Sequence, residues 1–170
     1  EVSSHAIMQR RISGLQFAGG VFTNITHEHL DYHKTFDEYI SVKKEFFDNL
    51  PAAAFALSNK DDKQGSVMLQ NTNANKSFYS TRAKADYKCK VLENLFTGLF
   101  LKIDGSEFWS KLLGEFNAYN LLVAYAVARL TEHEQVEILT ELSALEPVDG
   151  RFDCFIAGSG IIGIVDYAHT

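Results

Sequence analysis

The sequence predicts an α/β fold, a mostly parallel sheet flanked by helices with a small antiparallel subsheet attached. Three observations predict it. Up to about Lys76, short apolar runs alternate with segments of helical period, the pattern of strand–helix–strand units. Beyond that point the pattern changes to period two, which is the mark of half-buried antiparallel strands. Then Glu115–Leu130 runs almost wholly apolar, broken by Asn117, Asn120 and its charged ends, and reads as a buried helix.

In chain order, Glu1–Ser4 reads as a strand end that turns into a helix from about His5 to Ser13, with Gly14 as its stop. Leu15–Thr23 carries β-type residues and two glycines and reads as a buried strand. Thr35-Phe36-Asp37-Glu38 is a capping-box pattern, so a helix should start there. Phe36, Tyr39, Ile40, Phe47 and Leu50 recur along it at helical spacing. Lys43, at four, three and seven residues from Tyr39, Ile40 and Phe36, falls on that inward stripe, while Lys44 is about 100° round on the wet face. Pro51 ends the helix. Ala52–Leu57 follows as a short buried strand closed by Ser58-Asn59-Lys60-Asp61-Asp62, and a helix resumes from about Asp61 to Gln70. Ser77–Ser80, Tyr87–Asn94 and a hairpin from Gly98 to Leu112 make up the antiparallel segment, with the hairpin turning at Asp104-Gly105. Thr131-x-x-Glu134 should cap a last helix to about Leu145, with Val136, Leu139 and Leu142 inward. Pro147–Arg151 reads as a linker, and Phe152–Ala157 and Ile161–Tyr167 as two further strands.

The 170 residues are enough for one full-sized domain, or one domain and the edge of another. The composition, 46% hydrophobic and 22% charged, is that of a globular chain. A net charge of −6 argues against a nucleic-acid surface, so any phosphate must meet local cations. No apolar run approaches the roughly 20 residues that span a bilayer, so no membrane insertion is expected. Cys89 and Cys154 lack metal-type spacing and suggest a reduced cytosolic protein, although one bridge stays open. The opening on Glu1 rather than Met, and the stop at Thr170, read as a piece of a longer chain.

The densest chemistry lies at Thr23–His33, T-N-I-T-H-E-H-L-D-Y-H, directly after the first strand. In open α/β sheets ligands bind at the carboxyl ends of strands, which gives that loop functional weight. His27-x-His29-x-Asp31 with His33 comes within one residue of a binuclear zinc signature, H-x-H-x-D-H. The inserted Tyr32 and the scarcity of downstream histidines (His133 and His169) count against a zinc hydrolase, which stays the minor reading. Lys43 on an inward face is either a snorkelling lysine or a functional one. Asn117 and Asn120 at i and i+3 either bond a neighbouring loop or read a planar heterocycle. Gly158-Ser159-Gly160-Ile161-Ile162-Gly163 fits G-x-G-x-x-G, but a β-type run rather than a helix follows, so it reads as a hairpin turn.

Taken together, E-V-S-S-H-A, F-T-N-I-T-x-x-H-L-D-Y-H, Lys43, G-E-F-N-A-Y-N-L-L, the Gly-Arg after Pro147 and V-D-Y-A-H-T resemble the Mur ligases over nearly the whole chain. These are ATP-dependent amide-bond-forming enzymes of bacterial peptidoglycan synthesis. Ser-Ser-His and His-Leu-Asp-Tyr-His point to the members that add the third amino acid, meso-diaminopimelate or lysine, to UDP-N-acetylmuramoyl-L-Ala-D-Glu through an acyl phosphate. Other ligases of the superfamily, of cyanophycin-synthetase or folylpolyglutamate type, are the alternative.

The resemblance implies residues 1–148 as a central ATP-binding domain and 149–170 as a linker with the first strands of a carboxy-terminal domain. It implies Glu1 and His29 as ligands of magnesium ions, and Lys43 as a carbamylated lysine that serves a metal. It implies Ser3, Gln9 and Arg11 as contacts of the UDP-muramoyl-dipeptide. Asn117 and Asn120 would contact adenine, Arg151 phosphate and Asp166 ribose. ATP and magnesium are then the cofactors and a diamino acid the second substrate, in a cytoplasmic enzyme that is monomeric at full length. Two departures stand out. Glu28 replaces the usual Asp before the metal-binding histidine, and no G-x-x-x-x-G-K-[ST] loop occurs, so these residues alone should not catalyse.

Overall fold

The structure is a computed structural model that describes residues 1–26, 34–150, 153–156, 158 and 161–167. Two compact units, Glu1–Asp86 and Tyr87–Thr170, divide the chain.

The first unit is built on three parallel strands, β1 (Gly19–Phe22), β2 (Phe55–Asn59) and β3 (Asn75–Ser80). Val21 pairs with Leu57, and Leu57 with Ser77. Ser77–Ser80, read in the sequence as antiparallel, is therefore the third parallel strand. The short crossover α3 (Gly65–Met68) returns the chain to the same end of the sheet, where an antiparallel hairpin would have reversed it. That helix replaces the longer one expected over Asp61–Gln70, because Asn59, Asp61 and Asp62 turn their side chains onto nearby backbone amides instead. Phe22, Phe47, Leu50, Ala56, Met68 and Leu69 form the core.

Helix α1 (Ser4–Met8) ends five residues earlier than Ser13. Arg10 sits at φ 54°, its N–H bonds Ile7 O, and Arg11 N–H bonds Ala6 O. That is the closure usually built on glycine, here on arginine. Helix α2 (Phe36–Asp48) starts where the capping box puts it: Glu38 N–H donates to Thr35 Oγ1 at 3.1 Å. The reciprocal bond is shifted by one residue, from Lys34 N–H to Glu38 Oε2 at 3.0 Å. Lys44 is not on a wet face. Its side chain is 13% exposed, and its Nζ lies 2.6 Å from Asp48 Oδ2, one turn on.

The second unit begins with a meander of β4 (Tyr87–Leu95), β5 (Gly98–Ile103) and β6 (Ser106–Ser110). The β5–β6 turn has Asp104 at φ 44° and Gly105 at φ 93°, the left-handed pair that matches a two-residue hairpin. Helix α4 (Glu115–Leu130) packs on β4 and β5, and α5 (Gln135–Ala144) on β6. α4 is half-wrapped rather than wholly buried: Ala118, Leu121, Leu122, Tyr125 and Ala126 face inward, while Phe116 and Asn120 are exposed.

Thr131 does not cap α5. Its Oγ1 donates to Val127 O and Ala128 O and closes α4, with Glu132 left-handed at φ 70°. α5 starts at Gln135, so Ile138, Leu139 and Leu142 form its buried stripe, and Val136 points outward at 78% exposure. β7 (Asp153–Ile156) and β8 (Ile162–Val165) pair antiparallel. Both cysteines are free.

Candidate functional site

The carboxyl end of β1 opens into a cleft of about 430 Å³, whose walls include Glu1, Thr23, Asn24, Lys43, Phe46 and Phe47. The strand has to pass close under α2 to form it. A Cβ on Gly20 would stand 2.6 Å from Phe46 Cε1, so the bare backbone is what lets the aromatic floor close. Thr35 capping fixes the rotation of α2. That rotation sets Tyr39, Phe46 and Phe47 inward and brings Lys43 to the edge of the same cleft.

The Lys43 Nζ sits over the Tyr39 ring, 5.3 Å from its centroid. Burial pushes its ammonium below the ordinary lysine value, and the Glu1 carboxylate pulls it partly back up. A half-buried amine that feels the Glu1 carboxylate thus shares a cleft with Thr23 and Asn24. Burial favours its neutral, nucleophilic form.

Behind the cleft, three side chains from β2, β3 and the following turn hold the backbone that leaves β1. Tyr79 OH donates to Phe22 O at 3.3 Å, and Asn59 Nδ2 donates to Thr23 O at 2.9 Å. Ile25 N–H donates to Asp62 Oδ2 at 3.3 Å, while Asp62 Oδ1 accepts from Gln64 N–H at 2.8 Å. Asn59 is only 8% exposed and also accepts from Asp61 N–H through Oδ1. In the sequence, Ser58–Asp62 reads as a closing loop. The signal for a role at the site is an Asn and two Asp residues directly after a buried strand, at the ligand-binding end of a parallel sheet.

Of the other residues singled out, Ser3 caps α1, its Oγ accepting from Ala6 N–H at 3.2 Å. The Gln9 carboxamide oxygen accepts from Arg11 Nε at 2.8 Å and from its Nη2, so these two form one exposed polar group. In the second unit the two α4 amides are chained. Asn117 Nδ2 donates to Leu113 O at 2.7 Å, and Asn120 Nδ2 donates to Asn117 Oδ1 at 3.0 Å. The bond to Leu113, at the loop before α4, is the structural role weighed for that pair. Asp166 follows β8 and is exposed. His27, His29, His33, Glu28 and Arg151 lie outside the described residues, as does His169. His133 is exposed in the turn between α4 and α5, not on a helix. Among the described residues no group of three His, Cys, Asp or Glu side chains is placed to hold a metal ion, and no helix is long and apolar enough to cross a membrane.

The Mur ligase middle domain matches this chain over residues 1–128. The chain belongs to the Mur ligase family. It is 57% identical over 170 residues to the UDP-N-acetylmuramoyl-L-alanyl-D-glutamate–2,6-diaminopimelate ligase of Cytophaga hutchinsonii, and 55% to that of Parabacteroides distasonis. Each alignment takes in all of this chain and 35% of the relative, so the chain spans about a third of their length. A solved ligase of the same name superposes with a TM-score of 0.82 at 27% identity, over 99% of this chain and 36% of that one. MurF from Acinetobacter baumannii shares the fold, with a TM-score of 0.78 at 17% identity over 89% of this chain and 34% of that one. The mostly parallel sheet, flanking helices and small antiparallel sheet are thus those of a Mur middle domain, as the motifs implied.

Proposed function

We propose that these residues work within an ATP-dependent ligase that joins diaminopimelate to UDP-N-acetylmuramoyl-L-alanyl-D-glutamate, in the bacterial cytoplasm. The observation that carries the reading is the shared cleft: Glu1 and Lys43, far apart in sequence, open on one cavity at the carboxyl end of β1 in a Mur middle domain. The names of the relatives at 57% and 55% identity support diaminopimelate over lysine. Residues 1–148 serve as the central domain, and 149–170 lead into the next.

The donor set fits a hard cation such as magnesium, because Glu1 supplies a carboxylate and Thr23 and Asn24 add oxygen atoms. An ammonium at Lys43 would oppose it. Carbamylation resolves the conflict: the ammonium gives one proton to solvent, the neutral Nζ bonds to the carbon of CO2 with release of a second proton, and a cation becomes an anion. Glu1, His29 and the Lys43 carbamate would then hold magnesium, which offsets the charge that accumulates when a substrate carboxylate meets ATP. Ser3, Gln9 and Arg11 would hold the UDP-muramoyl-dipeptide, with the Gln9–Arg11 pair presenting a cation to it. Asn117 and Asn120 would read adenine, Arg151 phosphate and Asp166 ribose. The phosphate cradle of ATP has to come from outside these residues, since the sequence contains no phosphate loop.

The test uses the complete protein that contains these residues, assayed for phosphate release with ATP, magnesium and UDP-N-acetylmuramoyl-L-alanyl-D-glutamate. Diaminopimelate and lysine are offered separately. Release that requires diaminopimelate supports the reading, and silence with both overturns it.

A further inference from the structure

We propose that Asn59 and Asp62 are positioning residues of the Glu1/Lys43 cleft: they clamp the backbone of Thr23–Ile25, which forms its wall, and so set the turnover rate without touching substrate. This rests on the ligase reading for its kinetic half only. The clamp grips through side chains where a ladder would otherwise end. β1 and β2 stay in register as far as Phe22 and Ser58, the last pair of that ladder. Asn59 and Asp62 take over. One donates to Thr23 O and the other accepts from Ile25 N–H, so Asn24, between them, is held from both sides at the cleft.

Each clamp residue is itself fixed. Asn59 accepts from Asp61 N–H at 3.0 Å, and Asp62 from Gln64 N–H at 2.8 Å. Ser58 Oγ donates to Gly65 O at 2.7 Å, which ties the start of α3 back to β2. Gly65 lets that turn close, because a Cβ there would collide with Asn59 O. The result is a bracket of hydrogen bonds behind the Thr23–Asn24 wall of the cleft. Such a bracket fits a site in which a small displacement of the wall is expensive for the rate: a shift of about 1 Å can cost on the order of a hundredfold.

The chemistry of the two residues makes the idea separable from plain stability. Asn59→Asp is isosteric, keeps the acceptor for Asp61 N–H, and puts a charged carboxylate oxygen where the donor faced Thr23 O. Asp62→Asn keeps one acceptor and loses the second. In the complete enzyme, both variants are read by amide hydrogen exchange and by steady-state phosphate release. The expected result is faster exchange at Ile25 with unchanged exchange across β2 and β3. With it, kcat should fall by about tenfold to a hundredfold while KM for the UDP-muramoyl substrate stays the same. Asp62→Asn should be the milder of the two. Unchanged exchange at Ile25 overturns the clamp. Faster exchange at Ile25 with wild-type kcat, or a rise in KM alone, overturns its role in turnover. Exchange that rises equally through β2 and β3 shows a structural role only and overturns the proposal. If the wild-type enzyme releases no phosphate at all, the ligase reading fails, and the clamp is then judged on Ile25 exchange alone.

Discussion

The Lys43 ammonium rests over the ring of Tyr39, one helical turn earlier in α2, at 5.3 Å from the ring centroid. The aromatic face is the partner on its own helix, and the Glu1 carboxylate is the opposing charge across the cleft. Neither fully offsets the loss of water, so the ammonium is held below its ordinary value, with burial as the larger cause.

A lysine whose folded pKa is depressed binds fewer protons folded than unfolded, so its contribution to stability improves as pH rises toward the ordinary lysine value. Lys43→Met, which keeps the stem and drops the charge, should therefore be more stable than wild type near neutral pH. The advantage should shrink as the pH climbs toward about 10.4, the ordinary lysine value. Urea midpoints of both proteins across that range check it. A constant difference would show that Lys43 is not desolvated. In the assay of the complete enzyme, Lys43→Ala should lose activity, and formate or acetate should return part of it, since each supplies a carboxylate where the carbamate stood.

Thr35 determines where α2 begins, and so which face Lys43 lies on. Thr35→Ala removes the acceptor for Glu38 N–H and should cost about 1 kcal/mol. Thr35→Ser should cost less, because the hydroxyl remains. The checking measurement is again chemical denaturation. Equal losses in both variants would mean that the methyl group, not the cap, is what matters.

The start of α2 was legible because its cap is a side chain with a known preference. The same holds for Asp104-Gly105 and for the bounds of α4, where apolar period and flanking glycine agree. What the sequence hid were two helix ends closed on Arg10 and Glu132, at φ 54° and 70°. Glycine is the usual residue there, so a reader places α1's stop at Gly14 and takes Thr131 for the next helix's cap. The parallel pairing of β3 was hidden for a different reason. It depends on a crossover helix of one turn, too short to give a periodic signal. At the site, Lys43 stood out as a cation on an apolar stripe, and Glu1 only through the family resemblance. Asn59 and Asp62 did not stand out at all, because their partners are backbone groups 36 and 37 residues away.

The buried stripe of α5 can be tested by substitution. Val136 is 78% exposed and Leu139 only 9%. Val136→Ser should change stability by no more than about 0.5 kcal/mol, whereas Leu139→Ala should cost roughly 2–5 kcal/mol. The inward placement of Val136 that the apolar spacing suggested requires the two to cost about the same. Thermal or urea unfolding of the pair decides between them.

Cys89 and Tyr125 share an environment near Asp104, and both are pushed up to about 12. Burial is the first cause in each, and the Asp104 carboxylate adds to it. Groups whose folded pKa is raised hold more protons folded than unfolded, so the stability they confer is complete below their ordinary values and is lost as pH climbs toward about 12. Alkaline unfolding should start above the ordinary thiol and phenol range. Near neutral pH, a thiol reagent should modify Cys154 while leaving Cys89 untouched until the protein is unfolded. Asp104→Asn keeps an acceptor for Lys88 N–H, which lies 3.0 Å from Oδ1, and deletes the charge. It should lower the Tyr125 titration midpoint, followed by NMR of the ring, and open Cys89 to alkylation at a lower pH than in wild type. An unmoved Tyr125 would remove Asp104 from the account.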